Sequence, residues 1–175
     1  MPSLPFVVPS FDDPYPSGKW SKITDFKYET GLHLYRAIEA VRTRHGDDAD
    51  YIVARDYTVS FNLDGKKRKI TVPRGMLTDL ASVPRVAQSM IGRVGPHLEA
   101  SIVHDFLYIA WQDLAGHGAR EKDRTFADNV LLTALVEAKV DLIVREAMFK
   151  AVRIAGWPVY KERDEPRYVE LPSEV

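Results

Sequence analysis

One helical stretch constrains the whole chain. From Pro96 onward, Leu98, Ile102, Val103, Phe106, Leu107, Ile109 and Ala110 spread apolar side chains around most of a helix circumference. A helix apolar on nearly all sides has to be covered on nearly all sides, so the rest of the fold must wrap it. Pro96 suits the opening turn, and Glu99 sits favourably near the positive end. Gly116 and Gly118 mark the exit. Inside this apolar segment stand His104 and Asp105, polar residues where a core wants hydrocarbon.

What precedes it is β-patterned. Residues 20–28 (WSKITDFKY) read as a short strand, and residues 51–63 (YIVARDYTVSFNL) as a longer one. Within the latter, Tyr57, Val59 and Phe61 alternate with Thr58, Ser60 and Asn62, a period of two. Asp64-Gly65 is a hairpin turn signal, since glycine accepts the positive φ of a type I′ turn. Residues 69–72 then form the return strand. The basic cluster Lys66-Lys67-Arg68-Lys69 reads as a solvated edge that discourages sheet-to-sheet pairing. Between the strands, Leu34, Ile38 and Val41 have helical spacing, which predicts a helix over residues 31–44. Further on, Ser82 as N-cap and Pro84 in the first turn predict a short helix over residues 84–91. Helices are expected over residues 120–139, with Phe126, Val130, Leu131 and Leu135 on one stripe, and over residues 142–154. Asp141 caps the latter, and Gly156 and Pro158 stop it.

The expected fold class is therefore α+β: an N-terminal β-hairpin or small antiparallel sheet, then a compact cluster of three to four helices. The expected division is an extended proline-rich arm over residues 1–19, one domain over 20–159, and a charged tail over 160–175. The arm carries Pro2, Pro5, Pro9, Pro14 and Pro16, which exclude helix and inner strand. It also carries Phe6, Val7, Val8, Phe11 and Tyr15. Two readings of it stand: packing over its own domain, which native termini often do, or lying on a neighbouring subunit.

The chain has 175 residues, enough for one domain with a real core. A net charge of −1 provides no global field for nucleic acid or an anionic membrane. No apolar run approaches a membrane span, and the N-terminus lacks the basic and apolar regions of a signal peptide. With 0 cysteines, disulfides, thiolate nucleophiles and cysteine zinc sites are excluded. Any metal would rest on histidine and carboxylate.

The candidate chemistry lies between the strand end at Val72 and Asp128. His104 and Tyr108 are four residues apart and share a helix face. One reading is a divalent metal held by His104 with Asp79 or Asp128, or both, Asp105 serving as a ligand or as its support. Such a site activates water for hydrolysis. In that reading His104 and Asp105 are the catalytic candidates. The other reading, favoured because no HExxH-type spacing accompanies the pair, is a buried structural network of Asp79, Ser82, Arg85, His104, Asp105, Tyr108, Arg124 and Asp128. Asp123 is a weaker member of the same set. Serine catalysis at Ser82 lacks a G-x-S-x-G elbow. His33, His45, His97 and His117 show no partner pattern. Trp111 reads as core or interface, and Trp157 to Tyr160 as a cap over the helices.

The run ITVPRGMLTDLASVPR, then IVHDFLY, then RTFAD followed by VLLTAL, resembles a family of uncharacterised phage and prophage proteins, a domain of unknown function. Its pattern is carried here by Val72-Pro73, Gly75, Thr78-Asp79, Ala81-Ser82-Val83-Pro84-Arg85, His104-Asp105, Leu107-Tyr108, Arg124 and Asp128, over roughly residues 55–157. Met76 and Leu131 stand where that family often has Phe. The resemblance implies a phage or prophage-like origin and a link to late, virion-building genes, but no activity. Two expectations follow. The first is a virion-associated structural or assembly component at the tail, neck or baseplate. It would touch other virion proteins through both arms, and be located in the virion or, during assembly, in the host cytoplasm. The second is a metal-dependent hydrolase, acting on the cell wall. Nucleic acid is an unlikely partner on charge, and a membrane is none.

Overall fold

The computed structural model describes residues 4–36, 51–78, 96–163 and 167–172. Among the described residues, two small antiparallel sheets are followed by three helices, an α+β fold. The first sheet has the order β1–β4–β5, from β1 (Ile23–Tyr28), β4 (Tyr57–Leu63) and β5 (Lys66–Val72). The second has the order β2–β3–β6, from β2 (Leu34–Arg36), β3 (Tyr51–Val53) and β6 (Leu77–Thr78). The helices are α1 (Leu98–Ile109), continued by a 3-10 turn over Ala110–Asp113, α2 (Glu121–Glu137) and α3 (Leu142–Lys161).

The β4–β5 hairpin follows from its turn. Asp64 and Gly65 both take positive φ, 50° and 79°, which matches the right-handed twist of the strands. Tyr57, Val59, Phe61 and Leu63 are buried along β4, and Ile70 and Val72 opposite them along β5. The lysines of β5 stay exposed on the outer strand of this sheet. Phe61 lies 6.0 Å from Phe126 of α2, and the Tyr28 hydroxyl donates to the Ala134 carbonyl at 2.9 Å. The core thus lies between the first sheet and the α1–α2 pair. Of α1, Ala100 through His104 and Phe106 through Tyr108 are buried, as a helix wrapped by its neighbours requires.

The strand predicted over residues 51–63 is two strands in different sheets. They break at Ala54 to Asp56, where Arg74 clamps the corner: its amide donates to Asp56 at 2.8 Å and its Nε to the Ala54 carbonyl at 3.1 Å. The helix predicted over residues 31–44 is corrected at its start. Leu34, Tyr35 and Arg36 are extended and pair with Val53, Ile52 and Tyr51. Residues 32–36 also alternate, with Leu32 and Leu34 packed on the core, and strand pairing with β3 overrides the helical spacing of only a few apolar positions. The remainder of that segment, and the helix predicted over residues 84–91, lie outside the described residues.

A second correction concerns α3, which does not stop at Gly156 and Pro158 but runs through both to Lys161. Proline within a helix costs roughly 3 kcal/mol. Tertiary packing offsets this: Tyr160 is fully buried, its carbonyl accepts Trp111 Nε1–H at 3.0 Å, and Trp157 stacks on its ring.

The chain ends meet on the second sheet. Val169 donates its amide to Gly75 at 2.9 Å, Leu77 donates to Arg167 at 2.9 Å, and Glu170 donates to Pro5 at 2.8 Å. Segment 75–78 therefore has β3 on one side and the tail on the other, with residues 5–7 beyond the tail. Gly75 has φ 90°, and a Cβ there would overlap the Val169 carbonyl oxygen. Only glycine lets the tail approach so closely. Arg167 in turn grips Asp113, Nε to Oδ2 at 2.9 Å, fastening the tail to the turn after α1. Farther along the arm, the ring of Phe11 packs edge-on against Phe106, and the Tyr15 hydroxyl donates to the Leu107 carbonyl while accepting the Trp111 amide.

Candidate functional site

Asp128 is the centre of the site. It lies on α2, fully buried, at the crossing of the three helices. One carboxylate oxygen, Oδ1, takes His104 Nε2 at 3.0 Å and the Tyr108 hydroxyl at 2.7 Å. Both donors come from one face of α1, four residues apart. The other oxygen, Oδ2, takes Arg124 Nη1 at 3.2 Å from the preceding turn of α2 and Arg153 Nη1 at 2.9 Å from α3. Burial alone would raise the Asp128 carboxyl, but the hydrogen bonds from His104, Tyr108 and Arg153 hold it below the usual carboxylate range. An ionised carboxylate accepts, so His104 Nε2 is the donor. In the neutral ring this leaves the lone pair on Nδ1.

The cations are themselves anchored. Glu121 receives Arg124 Nε at 3.0 Å as well as Nη2, while Arg124 Nη1 also donates to the Val152 carbonyl at 3.0 Å. The Glu121 hydrogen bond raises the Arg124 guanidinium still further above its ordinary range, and the same contact lowers the Glu121 carboxyl. Burial and the Asp128 charge push the Tyr108 phenol far upward, so it acts as a hydrogen-bond donor and does not ionise near neutrality. Gly156 of α3 faces this cluster. A Cβ there would collide with the Tyr108 hydroxyl and stand 3.3 Å from Arg124 Nη1.

The sequence matches the family model described as a protein of unknown function, DUF1353, over residues 52–152. The chain belongs to the DUF1353 family. No curated protein matches it, and no solved structure does. The DUF1353 region holds His104, Tyr108, Arg124 and Asp128, which share one hydrogen-bonded cluster, whereas Arg153 stands immediately beyond it. The arm and the tail lie outside the DUF1353 match as well.

Among the residues singled out from the DUF1353 sequence, Asp105 takes a different direction from its neighbour. Its Oδ2 accepts the Thr78 hydroxyl at 2.7 Å, which ties α1 to the end of β6. Adjacent residues on a helix diverge by about 100°, so one faces α2 and the other the sheet. Asp79, Ser82 and Arg85 lie outside the described residues. Among the described residues, no group of three or more histidines and carboxylates is placed to hold a metal ion. Asp128 is poorly suited to be a ligand, because two guanidinium groups already occupy one oxygen and would repel a divalent cation.

Sequence reasoning missed Arg153 entirely, since nothing in a lone arginine on α3 announces a partner on another helix. It also left His117 unpartnered. His117 Nε2 is 2.9 Å from the buried Asp123, and its ring stacks on Tyr15. The one signal available was a carboxylate six residues past a glycine-flanked histidine, and the charged neighbours Lys122 and Arg124 hid its burial.

Proposed function

We propose that this DUF1353 chain is a virion-associated structural or assembly component of a phage or prophage-like particle, at its tail, neck or baseplate. The observation that carries the reading is the saturation of Asp128. His104, Tyr108, Arg124 and Arg153 all donate to it, from three helices, in a buried cluster. A carboxylate so occupied joins helices and holds them in one arrangement; it leaves no acid oxygen for a substrate. The arm adds a surface for neighbours, since Phe6, Val7 and Val8 are exposed along the outer edge of the second sheet. Other virion proteins are the proposed partners, met through the arm and tail, and the host cytoplasm is the proposed place of assembly. The test is mass spectrometry of purified particles from a strain encoding the chain. Stoichiometric presence supports the reading, and absence from mature particles overturns it.

One observation favours a second reading, a metal-dependent hydrolase. His104 Nδ1 is buried and has no hydrogen-bond partner among the described residues. With Nε2 held by Asp128, the imidazole has the support common to metal-binding histidines, and Nδ1 would be the ligand atom. Asp79 is the acid that would join it. Metal analysis of the purified protein and of His104→Ala decides this reading: no stoichiometric metal in either removes it.

A further inference from the structure

The tail is fastened unequally on its two sides. It lies between segment 75–78 and the first residues of the arm, and two neighbouring amides point to opposite joints: Val169 donates to Gly75 at 2.9 Å, and Glu170 to Pro5 at 2.8 Å. On the body side the hold is deep. Tyr168, Val169 and Leu171 are buried, Leu77 donates to the Arg167 carbonyl, and Arg167 pairs with Asp113. On the arm side it is shallow. Val7 donates to the Tyr168 carbonyl at 3.3 Å, while Phe6, Val7 and Val8 are 38%, 43% and 56% exposed. Leu4 adds a partly buried contact with the small cluster of Ile52, Val169 and Leu171.

Farther along, the arm is anchored again. The Phe11 ring lies 5.2 Å from that of Phe106, and Pro14, Tyr15 and Pro16 are buried. Exposed Ser10 stands between the two attachments, after Pro9, which has no amide hydrogen to pair. Segments with few buried contacts and solvent-facing backbone bonds open at lower free energy than the sheet beneath them. We infer that residues 4–9 are a strap, hinged at Ser10, that opens from the tail as a unit while the tail stays docked on segment 75–78. Opening bares the Glu170 amide and the Tyr168 carbonyl as a strand edge. It also takes Val7 and Pro9 out of the wall of a cavity of about 680 Å³, which Lys69 and Thr71 of β5 and Glu170 and Leu171 of the tail line as well. The closed strap therefore covers a strand edge and walls a cavity, and both change when it lifts. This device stands independently of a role in a particle.

The experiment is hydrogen exchange of the full chain, read as protection at the adjacent Val169 and Glu170 amides after each is corrected for its intrinsic rate. Glu170 is expected to be less protected than Val169 by at least about tenfold, because strap opening frees the first and leaves the second bonded. Val7→Pro removes the donor to the Tyr168 carbonyl. It is expected to lower Glu170 protection a further three- to tenfold or so, the worth of one hydrogen bond, with Val169 and the thermal midpoint unchanged. Phe6 and Val169 face each other across the joint as a non-hydrogen-bonded antiparallel pair, a spacing that a disulfide spans. The chain has 0 cysteines, so Phe6→Cys with Val169→Cys makes a single cross-link. Oxidation is expected to raise Glu170 protection by about tenfold or more, and reduction to return it. Equal protection of the two amides in the parent overturns the inference. So does a Val7→Pro variant in which both amides lose protection alike, or a cross-linked form in which Glu170 exchanges as fast as in the reduced one.

Discussion

Gly156 and the hydroxyl of Tyr108 share a space that admits no Cβ: α3 crosses α1 so closely there that alanine would overlap the phenol oxygen. The approach matters because that hydroxyl donates to Asp128, and a displaced Tyr108 would loosen the carboxylate that joins three helices.

Gly156→Ala therefore has a sharp expected sign. In an exposed helix interior this change stabilises by about 1 kcal/mol through helix propensity. Here overpacking is expected to outweigh that gain and destabilise by roughly 1–3 kcal/mol. Urea unfolding of the two proteins measures the difference; an alanine variant as stable as the parent would show that the helices do not cross this tightly.

Replacing Asp128 with asparagine leaves Arg124 facing a neutral amide in a buried site, and breaking a buried ion pair from one side costs about 3–5 kcal/mol. The pH dependence follows from the lowered carboxyl. A group held below its unfolded value contributes stability that is present above the unfolded carboxylate range and is lost as pH falls through its folded value. The gap between parent and Asp128→Asn should be full near neutrality and shrink below about pH 4. Unfolding curves at several pH values test this, and a gap that does not change with acid would show that the carboxylate charge is not what stabilises the cluster.

At Gly75 the positive φ and the Val169 carbonyl both forbid a side chain. Gly75→Ala is expected to cost about 1–3 kcal/mol of local strain and to release the tail from the second sheet. Hydrogen exchange at the Val169 and Glu170 amides is the measurement. In the parent they are held by Gly75 and Pro5, and unchanged protection in the variant would contradict the docking.

Tyr15→Phe removes the hydroxyl that bridges the Leu107 carbonyl and the Trp111 amide at the end of α1. The expected loss is about 1–3 kcal/mol, the range for leaving buried polar groups unpaired. Thermal unfolding reports it. A neutral result would mean that the arm contributes packing there and no bond of consequence.

Legibility from sequence tracked how local each signal was. The Asp64-Gly65 hairpin, the alternation of Tyr57, Val59 and Phe61, and the all-round apolar helix bearing His104 were readable because each is written into consecutive residues. Residues 34–36 misled because a three-residue strand exists only through its partner β3. Gly156 and Pro158 misled because stop signals act locally, while α3 is held past them by Trp111 and Tyr160. His104, Tyr108, Arg124 and Asp128 could be listed as candidates, their polarity being out of place among apolar neighbours. That His104 turns to Asp128 while Asp105 turns to Thr78 could not, since it depends on which faces the helices present to one another.

What the chain's own order of residues determined is the β4–β5 hairpin, the helices from Leu98 onward and the polar residues set inside an apolar helix, because backbone periodicity and turn chemistry act over a few positions. What only the tertiary structure decided is the identity of each partner: Arg153 for Asp128, Asp123 for His117, Gly75 for the tail. Those pairings depend on where distant segments cross, and a buried charge or a missing side chain becomes meaningful only when the group it must satisfy or admit has arrived beside it.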